Sequence, residues 1–358
     1  MSKTILTAEN VSVSFQVRKR QLKAIRNVSL SLEEGEVLAI VGESGSGKSV
    51  LTKTFTGMLE QNGRVSEGTI TYDGKVLTDY KTDKDWENIR GKEIATIFQD
   101  PMTSLNPIRT IGSQIAEVII KHRGKTPKEA KQLAIELMEK TGIPNAAQRY
   151  DEYPFQYSGG MRQRIVIAIA LACRPKILIC DEPTTALDVT IQAQILDLIK
   201  DLQKEYGFTT IFITHDLGVV ASIADRVAVM YAGQIIEIGK SEEIFYNPKH
   251  PYTWSLLSSL PQLSEKGEEL YYVPGTPPSV YKEIAGDAFA FRSPYAMEID
   301  FKAEPPMFEV SPTHFAKTWL LDPRAPKVDT PEKIKQLHER MVQLTQEIDA
   351  DDFEEGVN

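Results

Sequence analysis

Residues 42–49 read Gly-Glu-Ser-Gly-Ser-Gly-Lys-Ser, between the apolar run Val37–Val41 and the helical pattern Val50–Leu59. This G-x-x-x-x-G-K-[ST] arrangement constrains the fold more than any bulk property, because it works only as the turn between a buried strand and a helix N-terminus. Gly42, Gly45 and Gly47 let the backbone bend until several N–H groups, those around Ser44 included, converge on one phosphate. The helix start behind them adds partial positive charge. Lys48 then reaches the β- and γ-phosphates, and the Ser49 hydroxyl can ligate Mg²⁺. The ligand class is a nucleoside triphosphate with magnesium, and the fold class is α/β of the P-loop kind.

Two further segments carry chemistry. Ile177-Leu-Ile-Cys runs into Asp181-Glu182-Pro183. A buried strand ending there sets Asp181 beside the magnesium, directly or through water. Glu182, one residue on, points elsewhere and is suited to polarising the attacking water. Tyr157-Ser-Gly-Gly-Met161 precedes the helical pattern Arg162–Ala172. A Ser-Gly-Gly turn at a helix start exposes unpaired N–H groups in a favourable dipole, so Ser158, Gly159 and Gly160 form a second anion-binding turn. Two phosphate-binding turns in one chain need an explanation.

From Ile5 to about Ile238, β-rich and helical patterns alternate, as in an α/β domain. Strands are expected at Val37–Val41, Ile94–Phe98, Ile177–Cys180, Thr210–Thr214 and Val227–Met230, and Thr69–Tyr72 enters a hairpin turn at Asp73-Gly74. Helices are expected at Lys128–Thr141 and Ile191–Tyr206, and the mostly helical pattern after Phe98 marks an insertion at about 99–172. Beyond Lys240, Pro248, Pro251, Pro261, Pro274, Pro277 and Pro278 indicate loops and short elements. Thr330–Asn358 reads as an acidic amphipathic helix with a frayed tail. The expected organisation is an ATPase domain over 1–240, a loop-rich region over 241–325 and the acidic segment over 326–358.

Here the chain resembles the ABC ATPases across Ile5–Ile238. Ser158–Met161 looks like the family signature, with Met161 where Gln is more usual. Phe98-Gln99-Asp100-Pro101 looks like the Q-loop, Ala186-Leu187-Asp188 like the D-loop, and Thr214-His215-Asp216 like the switch histidine. Phe15 stands where the family stacks an aromatic on adenine. The resemblance implies a P-loop core with helical and antiparallel β subdomains. It also implies two such subunits facing each other, each P-loop completed by the other's signature turn. Gln99 would touch Mg²⁺ or the water and sit at the hinge to the helical insertion, His215 would reach the γ-phosphate, and Asp188 would orient a loop across the dimer or touch ATP. Catalysis would rest on Glu182, His215 and Gln99, and the metal on Ser49, Gln99 and Asp181.

Asn247-Pro-Lys-His-Pro-Tyr-Thr253, Pro274-Gly-Thr-Pro-Pro278 and Arg292-Ser-Pro-Tyr-Ala-Met297 look like the C-terminal region of peptide-importer ATPases. Glu60–Arg64 resembles the D-type subunit of oligopeptide and dipeptide permeases. That resemblance implies a distinct F-type ATPase, two transmembrane permeases and an extracellular peptide-binding protein as partners. Many relatives carry four cysteines in this region, suited to an iron–sulfur cluster. The matching positions here are Asp287, Ser293, Asp300 and Thr318. None is a thiol, so no such cluster is expected, and Phe289, Phe291, Tyr295 and Trp319 are available to hold the region by packing.

Bulk properties narrow the classes. A net charge of −9 argues against nucleic acid as the main partner. The two cysteines, Cys173 and Cys180, form no spaced pair that would suggest zinc or a disulfide framework. No secretory signal is read at Met1–Thr4, and no apolar run approaches the roughly 20 residues of a spanning helix. The expected location is peripheral, on the cytoplasmic face of the membrane. The competing classes fit less well. ABC proteins acting on ribosomes or DNA usually carry two ATPase halves or long coiled coils, and a regulatory, non-hydrolysing subunit would need a broken motif.

Overall fold

A computed structural model describes residues 3–185, 187–260, 273–279 and 284–335. Among them, the strands are β1 (Thr4–Val17), β2 (Arg20–Glu33), β3 (Val37–Val41), β4 (Gly63–Tyr72), β5 (Lys75–Val76), β6 (Ile94–Ile97), β7 (Ile177–Asp181), β8 (Thr209–Thr214), β9 (Arg226–Tyr231), β10 (Gln234–Lys240), β11 (Phe308–Ser311) and β12 (His314–Ala316). They form an antiparallel sheet in the order β2-β1-β4-β5 and a larger one in the order β11-β12-β10-β9-β3-β8-β7-β6. In the larger sheet β9, β3, β8, β7 and β6 run parallel. Every residue of β3 is buried, which explains its uninterrupted apolar sequence.

The pleat divides the core by sequence parity. Leu38 and Ile40 face the antiparallel sheet, together with Ile177, Ile179, Ile211 and Ile213. Ala39 and Val41 face the opposite way, toward Leu217, Val220, Phe245, Tyr252 and Phe289. Leu178, Cys180 and Phe212 meet the helical layer. That layer contains the helices Ile111–Arg123, Pro127–Lys140 and Gly159–Leu171, between β6 and β7. Because β6 and β7 are paired neighbours, the helical segment leaves and re-enters the sheet at one edge. Gln99 stands at the exit, two residues beyond the end of β6.

The helix after the P-loop is Lys48–Phe55, starting earlier and ending sooner than the sequence pattern suggests. It begins directly after Gly47 and stops before Gly57, whose φ of 61° leaves the helical region. The helix Gly159–Leu171 likewise starts inside the Ser-Gly-Gly turn, with Ser158 as its N-cap.

The region beyond Lys240 returns to the core sheet. β12 pairs antiparallel with β10, and β11 with β12. Glu237 of β10, fully buried, anchors this return. Its carboxylate lies 2.8 Å from His314 Nε2 and accepts the backbone N–H groups of Lys249 at 2.6 Å and His250 at 3.0 Å. Phe289 is buried against Tyr231 and Tyr252, Tyr295 meets Trp254, and Trp319 meets Phe308. Phe291 differs from expectation. It is 88% exposed and contacts Phe301 edge-on instead of entering the core. Of the expected terminal helix, Glu332–Lys335 is helical, and residues 336–358 lie outside the described residues.

Candidate functional site

The P-loop joins β3 to the helix Lys48–Phe55, and its shape depends on glycine at two close approaches. Gly42 has φ 148°, and a Cβ there would lie 2.1 Å from the Met230 carbonyl oxygen. Gly47 has φ 106°, and a Cβ there would lie 2.7 Å from Ile25 Cδ1. Side chains at either position would push the loop off β9 or β2. Lys48 is 5% exposed, and its ammonium donates to the carbonyls of Gly42 at 2.8 Å and Glu43 at 3.0 Å. Burial pulls its pKa below the ordinary lysine value, opposed by the charges of Glu182, Asp181 and Glu43.

A cleft of about 700 Å³ opens over this loop, lined by Ser44, Gly45, Gly47, Lys48, Ser49, Gln99, Glu182, Thr185 and His215. The last residue of β7, Asp181, accepts a hydrogen bond from the Ser49 hydroxyl at 2.9 Å. Burial raises the pKa of this carboxylate, and Glu182 raises it further, while the Ser49 hydrogen bond lowers it. An added positive charge at this point would relieve the cost of keeping it ionised.

Glu182 takes the left-handed conformation at φ 49°, a strained state for a residue with a side chain. Its N–H donates to the Ile213 carbonyl at 3.0 Å, which holds the turn against β8. The bend turns its carboxylate away from Asp181's partner Ser49 and toward three other side chains. Gln99 Nε2 donates to Glu182 Oε2 at 2.9 Å, Thr185 Oγ1 donates to the same oxygen at 3.1 Å, and His215 Nδ1 lies 3.4 Å from Oε1. Residues from β3, β6, β7 and β8, or the turns following them, thus meet at the C-terminal ends of parallel strands.

The other candidates lie elsewhere. Phe15 is half-buried with its ring against Gly63, and it is not among the cleft-lining residues. Leu22 and Ala24 of β2 form the apolar wall beside the P-loop instead. Ser158 and Gly159 are exposed at the start of their helix, away from the cleft of their own chain. Gly160 packs against the helix Val189–Tyr206, where a Cβ would lie 2.7 Å from Ile191 Cγ2. Asp188 caps that same helix, its Oδ1 accepting from Ile191 N at 3.0 Å.

Sequence reasoning missed Leu22, Ala24 and Thr185 as cleft residues. It also missed the strain at Glu182, for which composition offers no signal. The period-two run Val28, Leu30, Leu32 marks β2 as a strand, but which of its residues reach the P-loop depends on register.

Comparison with known proteins places this geometry in context. The ABC transporter family profile matches residues 25–185, and that of the oligopeptide/dipeptide transporter C-terminal region matches 236–299. The chain is 71% identical over 337 residues to the oligopeptide transport ATP-binding protein AmiE of Streptococcus pneumoniae, covering 94% of this chain and 95% of that one. It is 57% identical to the dipeptide transport ATP-binding protein DppD of Lactococcus lactis subsp. cremoris, covering 92% and 95%. It is 56% identical to the oligopeptide transport ATP-binding protein OppD of Bacillus subtilis, covering 92% and 93%. Among solved structures, the ATP-binding cassette MJ0796, in a dimeric post-hydrolysis state with ADP and Pi, is 30% identical with a TM-score of 0.59 and covers 66% of this chain and 99% of that one. CbiO1 of Clostridium perfringens, part of the transporter complex cbiONQ, is 30% identical with a TM-score of 0.59, covering 68% and 91%.

Proposed function

The chain belongs to the ABC transporter ATP-binding family, and from that membership we propose that it is the ATP-hydrolysing subunit that energises a peptide importer. The observation that carries the reading is the meeting of Lys48, Ser49, Gln99, Glu182 and His215 around one cleft, with Asp181 bonded to Ser49 behind it. The relatives with which it shares nearly its whole length are named for oligopeptide and dipeptide transport. The match to their C-terminal region supports that substrate class for this chain.

In this reading Gly42, Ser44, Gly45, Gly47, Lys48 and Ser49 hold the triphosphate. The side-chain oxygens of Ser49, Asp181 and Gln99 are the hard donors that Mg²⁺ prefers, and the ion would supply charge neutralisation for the β- and γ-phosphates. Glu182 is the general base, Gln99 and His215 position the water and the γ-phosphate, and Leu22 and Ala24 flank the adenine, on which Phe15 would stack only by leaving its packing against Gly63. The exposed Ser158–Gly160 turn, and Asp188 beyond it, would serve the P-loop of a facing ATPase. That partner is a distinct F-type paralogue. Two transmembrane permeases dock near Gln99 and the helical segment 99–172, and an extracellular protein delivers the peptide. The subunit sits peripherally on the cytoplasmic face; among the described residues no helix is long and apolar enough to cross a membrane. The ATPase domain spans 1–240, the peptide-importer region 241–325 and the acidic segment 326–358. Asp287, Ser293, Asp300 and Thr318 replace the thiols an iron–sulfur cluster would require, so none is assembled.

Glu182→Gln tests the role of the base. The variant should bind Mg·ATP as the wild type does, with hydrolysis reduced by two orders of magnitude or more, about the share a general base supplies. Undiminished phosphate release by the variant would remove Glu182 from the mechanism.

A further inference from the structure

We propose that Arg292 and Tyr252 of the C-terminal region are positioning residues for ATP, holding the P-loop in its phosphate-cradling shape through Glu43.

Glu43 follows Gly42 in the loop and does not line the cleft. All its polar groups are nevertheless engaged. Its N–H donates to the Tyr252 hydroxyl at 2.8 Å, and its carbonyl accepts from Lys48 Nζ at 3.0 Å. Its carboxylate receives a fork from Arg292, with Nη1 at 2.8 Å from Oε2 and Nη2 at 2.9 Å from Oε1. The phosphate-binding lysine and the C-terminal region therefore grip the same residue from opposite sides.

The Arg292 end is equally specified. Its side chain is 5% exposed. Nε donates to the Pro274 carbonyl at 2.6 Å, Nη1 also to the Tyr231 hydroxyl at 3.1 Å, and Nη2 also to the Val273 carbonyl at 3.2 Å. With the fork to Glu43, every guanidinium N–H has an acceptor. The group lies 5.6 Å from the Tyr231 ring and 5.7 Å from the Phe289 ring. Tyr231, Tyr252 and Phe289 pack on one another at 4.6–5.4 Å between centroids. Tyr231 closes β9, the strand whose Met230 carbonyl abuts Gly42. The His-Pro-Tyr segment and the Arg-Ser-Pro segment, which sequence reading could attach only to a family resemblance, thus converge on the nucleotide loop.

A loop held in its bound shape binds more tightly, because less ordering remains to be done when the ligand arrives. Loosening the strap should weaken ATP binding and leave the chemical step largely intact. By linkage, ATP should in turn stabilise the docked C-terminal region by the same factor.

The test uses the full-length chain, equilibrium binding of Mg·ATP, and steady-state hydrolysis by the assembled transporter. Arg292→Lys keeps the charge but loses the fork. Glu43→Gln changes the loop end and leaves the C-terminal side chains untouched, so it carries the test if the first variant fails to fold. Each should weaken ATP binding by about fivefold or more, within the usual range of coupling between sites, and raise KM while kcat stays within about twofold. The double variant should bind no worse than the weaker single. Single variants that melt lower but bind ATP like the wild type, or losses that multiply in the double variant, would overturn the proposal and leave a purely structural contact. The inference rests on the P-loop as the ATP site. Lys48→Ala tests that separately, and retained binding there would fault the site and not the strap.

Discussion

Asp287 is a carboxylate in surroundings that disfavour its charge. Burial pushes its pKa up to about 6, with Glu304 adding to the rise and the Phe289 N–H, Lys317 and Arg26 opposing it. Beside it, His250 is fully buried and burial pushes the imidazole down to about 4. His250 Nδ1 accepts from Tyr252 N at 3.0 Å, so the neutral ring carries its proton on Nε2, which has no partner and lies 3.9 Å from Asp287 Oδ2. The sign of the pH effect follows from the raised value. The folded state holds the Asp287 proton up to about 6 and the unfolded state loses it near 3.8, so this contribution to stability is complete below 3.8 and gone above about 6. Asp287→Asn should therefore stabilise the protein at pH 7.5 by on the order of 2 kcal/mol, and by almost nothing at pH 4, as read by urea unfolding at both pH values. An equal gain at both would assign the effect to packing. At this scale the sequence marked side chains that the fold brings together, because Lys48, Asp181 and Glu182 sit in motifs whose spacing has a physical reason. It concealed Glu43 and Arg292, far apart in the chain and joined only by tertiary packing.

Among elements, helix ends and irregular strands were the hardest to place. Thr126 illustrates a legible end: its hydroxyl and the Glu129 carboxylate close a reciprocal cap, with Pro127 in the first turn. β1 illustrates the opposite. Its register slips against β2 between Ala8 and Val11 and again beyond, with Asn10 and Asn27 at positive φ, and such bulges break the alternation by which a strand is recognised. Asp188 belongs to this scale too. As N-cap of Val189–Tyr206 it bears on stability apart from any contact with a facing subunit. Asp188→Ala should cost about 1 kcal/mol in chemical denaturation of the isolated chain, and Asp188→Asn close to nothing. Equal stability of the alanine variant would deny the cap any weight.

Across the whole molecule, the parallel strands were readable as buried apolar runs, and the order of motifs along them located the cleft. The return of the C-terminal region to the sheet was not readable. β12 has three residues, too few to show a period, and its place beside β10 depends on a buried Glu237–His314 pair whose partners lie 77 positions apart. The antiparallel strands added there cover the edge that β10 would otherwise present to other chains. One feature of the cleft also reaches beyond the molecule. Glu182 Oε2 accepts from Gln99 and Thr185 while its Oε1 faces His215, so a water approaching the carboxylate has to displace one of these side chains. The chain alone should release phosphate at least tenfold more slowly than the assembled transporter, and equal rates would contradict this. Spare copies awaiting assembly would then idle, and the energy reserve of the cell would be insulated from how many copies are made.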